Sequence, residues 1–218
     1  MRCAEIERVT KETAITMKLE LDGTGEVKLD YPIGFMAHMI SVFAKHGLFD
    51  IEIKASGDLE VDQHHLVEDT GIVLGQCFAK ALGERRGIRR VGSCLFPMDE
   101  TLARAAVDIS GRPFLVFEAD LDVAIAARGL ETGGEGKAEV NGGVPADVSS
   151  FQADTVQDFW QGFVSSSGIA LHLDVLRGRS CHHKIEALFK AAARSLREAC
   201  EIDPAAPDQI PSSKGVIV

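Results

Sequence analysis

No run of apolar residues in this chain approaches the roughly 20 that a membrane span needs. The first residues include Arg2, Glu5, Glu7 and Arg8, where a secretory leader would have an apolar core. No C-x-x-C pair occurs, and the cysteines are odd in number: Cys3, Cys77, Cys94, Cys181 and Cys200. That pattern fits free thiols in a reducing compartment better than a disulfide framework, so a cytoplasmic location is expected. Cations are short as well, with 23 Lys and Arg against 33 Asp and Glu and a net charge of −10. This argues against a nucleic-acid or membrane-surface partner, since both need a broad basic face. An anionic small ligand remains compatible if the few cations are gathered in one pocket. At 218 residues, 45% hydrophobic and 26% charged, the chain suits one large domain or two intimately packed halves.

What is present is a short pattern that occurs twice. His64-His65-Leu66-Val67-Glu68 and His182-His183-Lys184-Ile185-Glu186 both read H-H-x-x-E, and each opens a stretch with helical apolar spacing. On a helix, residues i and i+4 lie nearly one above the other, while i+1 is rotated by roughly 100°. His64 and Glu68 therefore share a face, and His65 looks partly sideways. Two such helices facing each other can grip a pair of metal ions.

The surrounding pattern repeats too. Ile15, Met17, Leu19 and Leu21 alternate as a strand ending in the turn Asp22-Gly23-Thr24-Gly25. Phe35 to Phe43 has helical spacing with Gly47 as its stop, Phe49 to Ile53 alternates as a strand, and His64 to Leu82 is a helix stopped by Gly83. Leu102 to Ile109 and Phe114 to Leu121 read as strands separated by Ser110-Gly111-Arg112-Pro113. Phe151 to Phe163 reads as a helix, Ile169 to Leu176 as a strand and His182 to Ala199 as a helix. Helix, strand and H-H-x-x-E helix thus occur twice in the same order. The expected class is α/β (α+β), built as two duplicated half-domains with helices packed on a sheet, residues 1–92 and 93–218. Residues 122–150 interrupt the second half with Gly129, Gly133, Gly134, Gly136, Gly142 and Gly143, and read as a surface loop.

The twin motifs supply six ligands. His172 gains support from its strand, because Ile169, Leu171, Leu173 and Val175 face one way and His172 the other. His38 lies in an apolar helical stretch, where a core histidine is the default reading, and His46 before Gly47 suits a helix C-terminus. Adding His38 and His172 gives eight ligands, four per metal if shared evenly. An octahedral ion would then keep two positions for substrate and water, which favours catalysis over a closed structural site. Imidazole suits Zn, Fe, Co, Ni or Cu, and octahedral sites with oxygen ligands admit Mn. Cys181, beside the second pair, reads as a small buried residue.

With those motifs in hand, the chain resembles the imidazoleglycerol-phosphate dehydratase family. The matching stretches include Arg8-x-Thr10-x-Glu12-Thr13, Gly34-Phe35-x-x-His38-Met39 and Gly57-Asp58-x-x-Val61-Asp62-x-His64-His65-x-x-Glu68-Asp69. They continue through Gly87-Ile88-x-Arg90, Pro97-Met98-Asp99-Glu100, Asp108-x-Ser110-Gly111-Arg112-Pro113, Leu171-His172, His182-His183-x-x-Glu186-Ala187-x-Phe189-Lys190 and Ser212-Ser213-Lys214-Gly215. They run in order along nearly the whole chain except 122–150.

The resemblance implies two similar α/β halves of the ribosomal protein S5 domain 2-like fold, and a di-manganese site of two Mn2+ held by His38, His64, His65, Glu68, His172, His182, His183 and Glu186. It implies assembly into a 24-subunit shell with sites completed between neighbouring subunits. It also implies the dehydration of imidazole glycerol phosphate in histidine biosynthesis. In that chemistry, metal-bound imidazolate expels the adjacent hydroxyl to give a diazafulvene, which then loses a proton. Glu12 and Asp99 are then the acid–base candidates, and Arg90, Arg112, Lys190, Ser212, Ser213 and Lys214 the phosphate contacts. The chain departs from the family pattern at four positions. Ala37 stands where Asp is usual, Ser180 stands where Asn is usual, and Asp154-Thr155 replaces Thr-Glu. Ala37 is the departure that most threatens activity. A di-metal hydrolase, or a metal-binding shell protein without activity, are the competing readings.

Overall fold

The computed structural model describes residues 2–121 and 151–217, so the glycine-rich segment expected to form a surface loop lies outside the described residues. The chain runs β1 (Cys3–Val9), β2 (Thr13–Glu20), β3 (Val27–Asp30), α1 (Gly34–Gly47), β4 (Asp50–Gly57) and α2 (His64–Leu82). It then repeats as β5 (Val91–Met98), β6 (Thr101–Asp108), β7 (Phe114–Glu118), α3 (Thr155–Ser167), β8 (Ala170–Arg177) and α4 (Cys181–Cys200). The two four-stranded sheets have the same topology, β1-β2-β4-β3 and β5-β6-β8-β7. In each, the last strand pair is parallel (β3 with β4, β7 with β8) and the other pairs are antiparallel. The fold is the duplicated α/β arrangement that the pattern predicts.

Three strands escape the sequence reading: β1, β3 and β5. All are edge strands. An edge strand buries less of its surface, so it shows weaker alternation and tolerates charge and proline. Accordingly β1 carries Glu5, Glu7 and Arg8, while β5 holds Pro97 opposite Leu102.

Helix α2 packs on β1 and β2, and α4 packs on β5 and β6. The helical layers then meet face to face, α2 against α3 and α1 against α4. Each half therefore buries its helices against the other half's helices. Large aromatics fill the seam. Trp160 stacks within 4.8 Å of Phe189 and 5.7 Å of Phe163, while Phe43 meets Phe49 at 5.5 Å between ring centroids. Burying such side chains stabilises by about 1.5–3 kcal/mol each. Where α2 crosses α3 the backbones touch: a Cβ added at Gly71 would collide with the carbonyl oxygen of Phe159, and one at Gly75 with that of Phe163.

Among the described residues no helix is long and apolar enough to cross a membrane. The cysteines are all free. Burial pushes the Cys77 and Cys200 thiols up to about 12, so neither is an appreciable thiolate near neutrality. Alkylating the folded protein at about pH 8 is expected to modify exposed Cys3 and to spare Cys77 and Cys200 until denaturant is added. Peptide mapping by mass spectrometry checks this.

Candidate metal centre and active site

Packing of α1 on α4 carries His38 to the first turns of α4. His38 Nε2 lies 3.5 Å from Glu186 Oε2, and His182 Nε2 lies 3.0 Å from the same oxygen. His182 and Glu186 are stacked by their i, i+4 spacing. Among the described residues these three form one group whose ligand atoms all lie within 4.8 Å of one another. The Glu186 side chain is only 9% exposed, and its second oxygen accepts from Lys190 Nζ at 2.8 Å. His182 above all, then His38 and Lys190, hold the Glu186 carboxyl far below the usual range despite its burial. A buried carboxylate kept anionic among imidazole nitrogens is a donor set that fits a divalent transition ion.

The first motif is arranged around His64. Its Nε2 lies 3.8 Å from Glu68 Oε2, and its Nδ1 lies 3.4 Å from Asp158 Oδ2 of α3. The second histidine of each pair has its own carboxylate. His65 Nδ1 is 3.1 Å from Asp58 Oδ2, and His183 Nδ1 is 2.8 Å from Glu100 Oε2. With Nδ1 engaged, Nε2 is the nitrogen presented outward for coordination. Glu100 also fixes the loop leading into α4, its Oε1 accepting the backbone N–H of Ser180 at 2.8 Å and of Arg179 at 3.2 Å. The Ser180 backbone donor first, and His183 next, keep its carboxyl well below the ordinary value. Hydrogen bonding to Asp58 raises the His65 pKa, and the charge of Glu12 adds to it.

Glu12 and Asp99 occupy matching places in the two halves. Glu12 lies in the β1–β2 hairpin turn, where its carbonyl accepts the Asp58 N–H at 3.0 Å. Asp99 opens the β5–β6 turn with φ 47°, a left-handed conformation that Asp tolerates better than most residues. Its Oδ2 lies 4.0 Å from His183 Nε2. Each hairpin thus brings an acidic residue beside the outward histidine of its half.

The remaining expected site residues divide. His172 faces outward from the second sheet, in register between Ala106 and Val116, while its neighbours Leu171 and Leu173 are buried towards the helices. The strand layer separates it from both histidine clusters within one chain, because alternation sets its side chain on the opposite face from α4. Arg90 is clamped on Asp108 by two hydrogen bonds of 2.7 and 3.1 Å, and donates to the Pro211 carbonyl at 2.8 Å. That bond brings the Ser212, Ser213 and Lys214 segment beside Arg90, with Arg112 exposed on the loop after β6. Lys190 is not part of this cluster. It is committed to Glu186 and to the ring of Phe96 near the far end of β5, whereas Arg90 precedes the first residue of that strand.

The family model for imidazoleglycerol-phosphate dehydratase matches residues 32–196. The Methylorubrum populi imidazoleglycerol-phosphate dehydratase is 46% identical over 215 residues, covering 99% of each chain. The Lacticaseibacillus casei enzyme of the same name is 48% identical over 217 residues, covering 100% of each. The chain belongs to the imidazoleglycerol-phosphate dehydratase family. The crystal structure of the Staphylococcus aureus dehydratase superposes with a TM-score of 0.72 at 31% identity, covering 92% of this chain and 99% of that one. Membership places the chain among the hydro-lyases of histidine biosynthesis.

Two departures from the dehydratase pattern have plain structural readings. Ser180 is the N-cap of α4 and accepts the His183 N–H at 3.4 Å, a task Ser and Asn perform about equally well. Ala37 is 4% exposed on α1, so an Asp there would have to be buried beside His38. Sequence reasoning gave no role to Asp58, Glu100 or Asp158. The first two stood inside the quoted motifs. Asp158 was findable from the repeat spacing, once α1 and α3 are aligned on their C-caps.

Proposed function

We propose that this protein dehydrates imidazole glycerol phosphate to imidazole acetol phosphate, using two bound cations, Mn2+ by family resemblance. The observation that carries the reading is the convergence of His38, His182 and Glu186 on one point, within a chain of this family. His64 and Glu68 are proposed for the second cation, with His65 and His183 as outward ligands to sites completed by neighbouring subunits. His172 is left out of the proposed set, because the sheet stands between it and both clusters.

The length of α4 supports shared sites. The Arg90 N–H donates to the Ala199 carbonyl at the C-terminal end of that helix. His182 lies at the N-terminal end, about 25 Å away at ~1.5 Å per residue. Within one chain, then, the proposed phosphate contacts (Arg90, Arg112, Ser212, Ser213 and Lys214) and the cation cluster lie at opposite ends. A substrate with an imidazole at one end and a phosphate at the other is far too short to span them. A second subunit, in the 24-subunit shell the family resemblance implies, brings a phosphate end to a metal end. Exposed Val91, Leu95 and Phe114 on the second sheet are suitable surface for such assembly.

Cations at the site would supply a charge sink that favours the deprotonated substrate ring. The chain's own groups do the rest. Nδ1 partners Asp58 and Glu100 aim His65 and His183, and Lys190 holds Glu186 so that one oxygen faces His38 and His182. Dehydration breaks the C–O bond next to the ring and a C–H bond on the following carbon, releasing water and an enol that becomes the ketone. Glu12 and Asp99 are proposed to accept and return those protons. The test is to incubate manganese-loaded protein with imidazole glycerol phosphate. Accumulation of the ketone is expected; release of inorganic phosphate, or no reaction, overturns the proposal.

A further inference from the structure

Asp69 follows Glu68 on α2 and is only 6% exposed. Its Oδ1 accepts from Arg8 Nε at 2.9 Å, and its Oδ2 accepts from Thr13 Oγ1 at 2.5 Å. Arg8 is in β1 and Thr13 opens β2, so one carboxylate ties both arms of the hairpin that carries Glu12. With its own proton given to Asp69, Thr13 Oγ1 accepts from Thr10 Oγ1, 3.3 Å away. Thr10 Oγ1 in turn accepts the backbone N–H groups of Glu12 at 3.0 Å and of Thr13 at 2.9 Å. A chain of hydrogen bonds therefore runs from Asp69 through both hydroxyls to the Glu12 backbone.

The second half builds the same hairpin without this network. Strands β2 and β6 correspond at a spacing of 88, each opening on a buried threonine, Thr13 and Thr101 (101 − 13 = 88). Ile15 pairs with Arg8 and Ala103 pairs with Phe96, so Phe96 stands where Arg8 does (96 − 8 = 88). The twin motifs, 118 apart, set Ala187 in the place of Asp69 (187 − 69 = 118). Apolar residues thus serve the second hairpin where an ion pair serves the first. Folding of such a hairpin on such a helix does not call for charge, and a partly buried ion pair is a weak source of stability. What directional, fully partnered groups add is a single fixed position.

We propose that Asp69 is a positioning residue for the dehydration, acting through Arg8, Thr13 and Thr10 to fix the Glu12 backbone and hold its carboxyl at the reacting carbon. This rests on the role proposed for Glu12 and deepens it. The second half supplies the variant that separates positioning from folding. Arg8→Phe with Asp69→Ala copies its apolar residues, and thermal melting verifies that the manganese-loaded full-length protein is folded. Because a misplacement of about 1 Å is worth on the order of 100-fold in rate, kcat for imidazole glycerol phosphate is expected to fall by about 10- to 100-fold, with KM within about twofold. Cation content by elemental analysis is expected to stay unchanged. Thr13→Val, a milder change that keeps Asp69 paired with Arg8, is expected to lower kcat as well, and Thr13→Ser, which retains the hydroxyl, to restore most of it. In a Glu12→Gln background the Arg8→Phe, Asp69→Ala pair is expected to cost little more, since it acts through a group already removed. Wild-type kcat in the folded pair variant or in Thr13→Val, or losses that multiply with that of Glu12→Gln, would overturn the proposal. So would loss of a cation, which would make Glu68 the group that Asp69 serves. Full activity in Glu12→Gln alone would remove the role of Glu12 as well.

Discussion

Glu186→Gln is expected to lower kcat/KM by more than about 100-fold, the upper end for groups that act on a metal only through one of its ligands. Its carboxylate is the one acceptor that His38, His182 and Lys190 share. An amide oxygen is a poorer cation ligand, and the amide nitrogen would face Lys190 or an imidazole. Stability falls too, because removing one partner of a largely buried ion pair costs about 3–5 kcal/mol. Lys190, 15% exposed, is the charge left stranded. Glu186→Gln combined with Lys190→Met removes both charges and is expected to recover much of the melting temperature but none of the activity or the lost cation. Elemental analysis and thermal unfolding of the two variants separate these effects. Recovery of activity in the double variant would show that Glu186 served folding alone.

The second large effect is on folding. Gly71→Ala is expected to destabilise by about 3 kcal/mol or more, at the top of the overpacking range. The added methyl would enter the space of the Phe159 carbonyl oxygen, which is backbone and cannot swing aside. For a chain of this size each kcal/mol lowers the melting temperature by about 2–4 °C, so a drop of roughly 6–12 °C is anticipated. Because α2 and α3 also carry His64, Glu68 and their neighbour Asp158, the loss should reach the residues proposed for the second cation. A melting temperature within a degree of wild type would mean that the two helices slide apart at little cost.

How much of this was legible in the sequence depended on burial. Strands β2, β4, β6 and β8 alternate because one face is pressed on helices, and α1, α2 and α4 show their apolar stripes for the same reason. Edge strands β1, β3 and β5 were silent because their residue types blur the alternation: Val91 and Leu95 are apolar on the exposed face of β5, and Gly92 and Cys94 are small on its covered face. Leu48 in the left-handed region ends α1, although Gly47 reads as the stop. Among the site residues, the H-H-x-x-E motifs were visible because helical spacing alone stacks His182 on Glu186. Their Nδ1 partners Asp58 and Glu100 come from a strand end and a hairpin turn, contacts that only the folded chain supplies. Alternation places His172 opposite the core, as expected, and the fold turns that face away from the helices that carry the other histidines. Lys190, which sequence grouped with Arg90, is separated from it along the whole of β5.

Helix α4 therefore has a consequence for heredity as well as for chemistry. Under the shared-site proposal, with the proposed cation and phosphate residues about 25 Å apart in one chain, a lesion at Arg90 and a lesion at His182 would spoil different composite pockets. In a cell making both damaged polypeptides, some pockets would draw each end from an intact donor. Two alleles that are each useless alone would then be able to rescue one another.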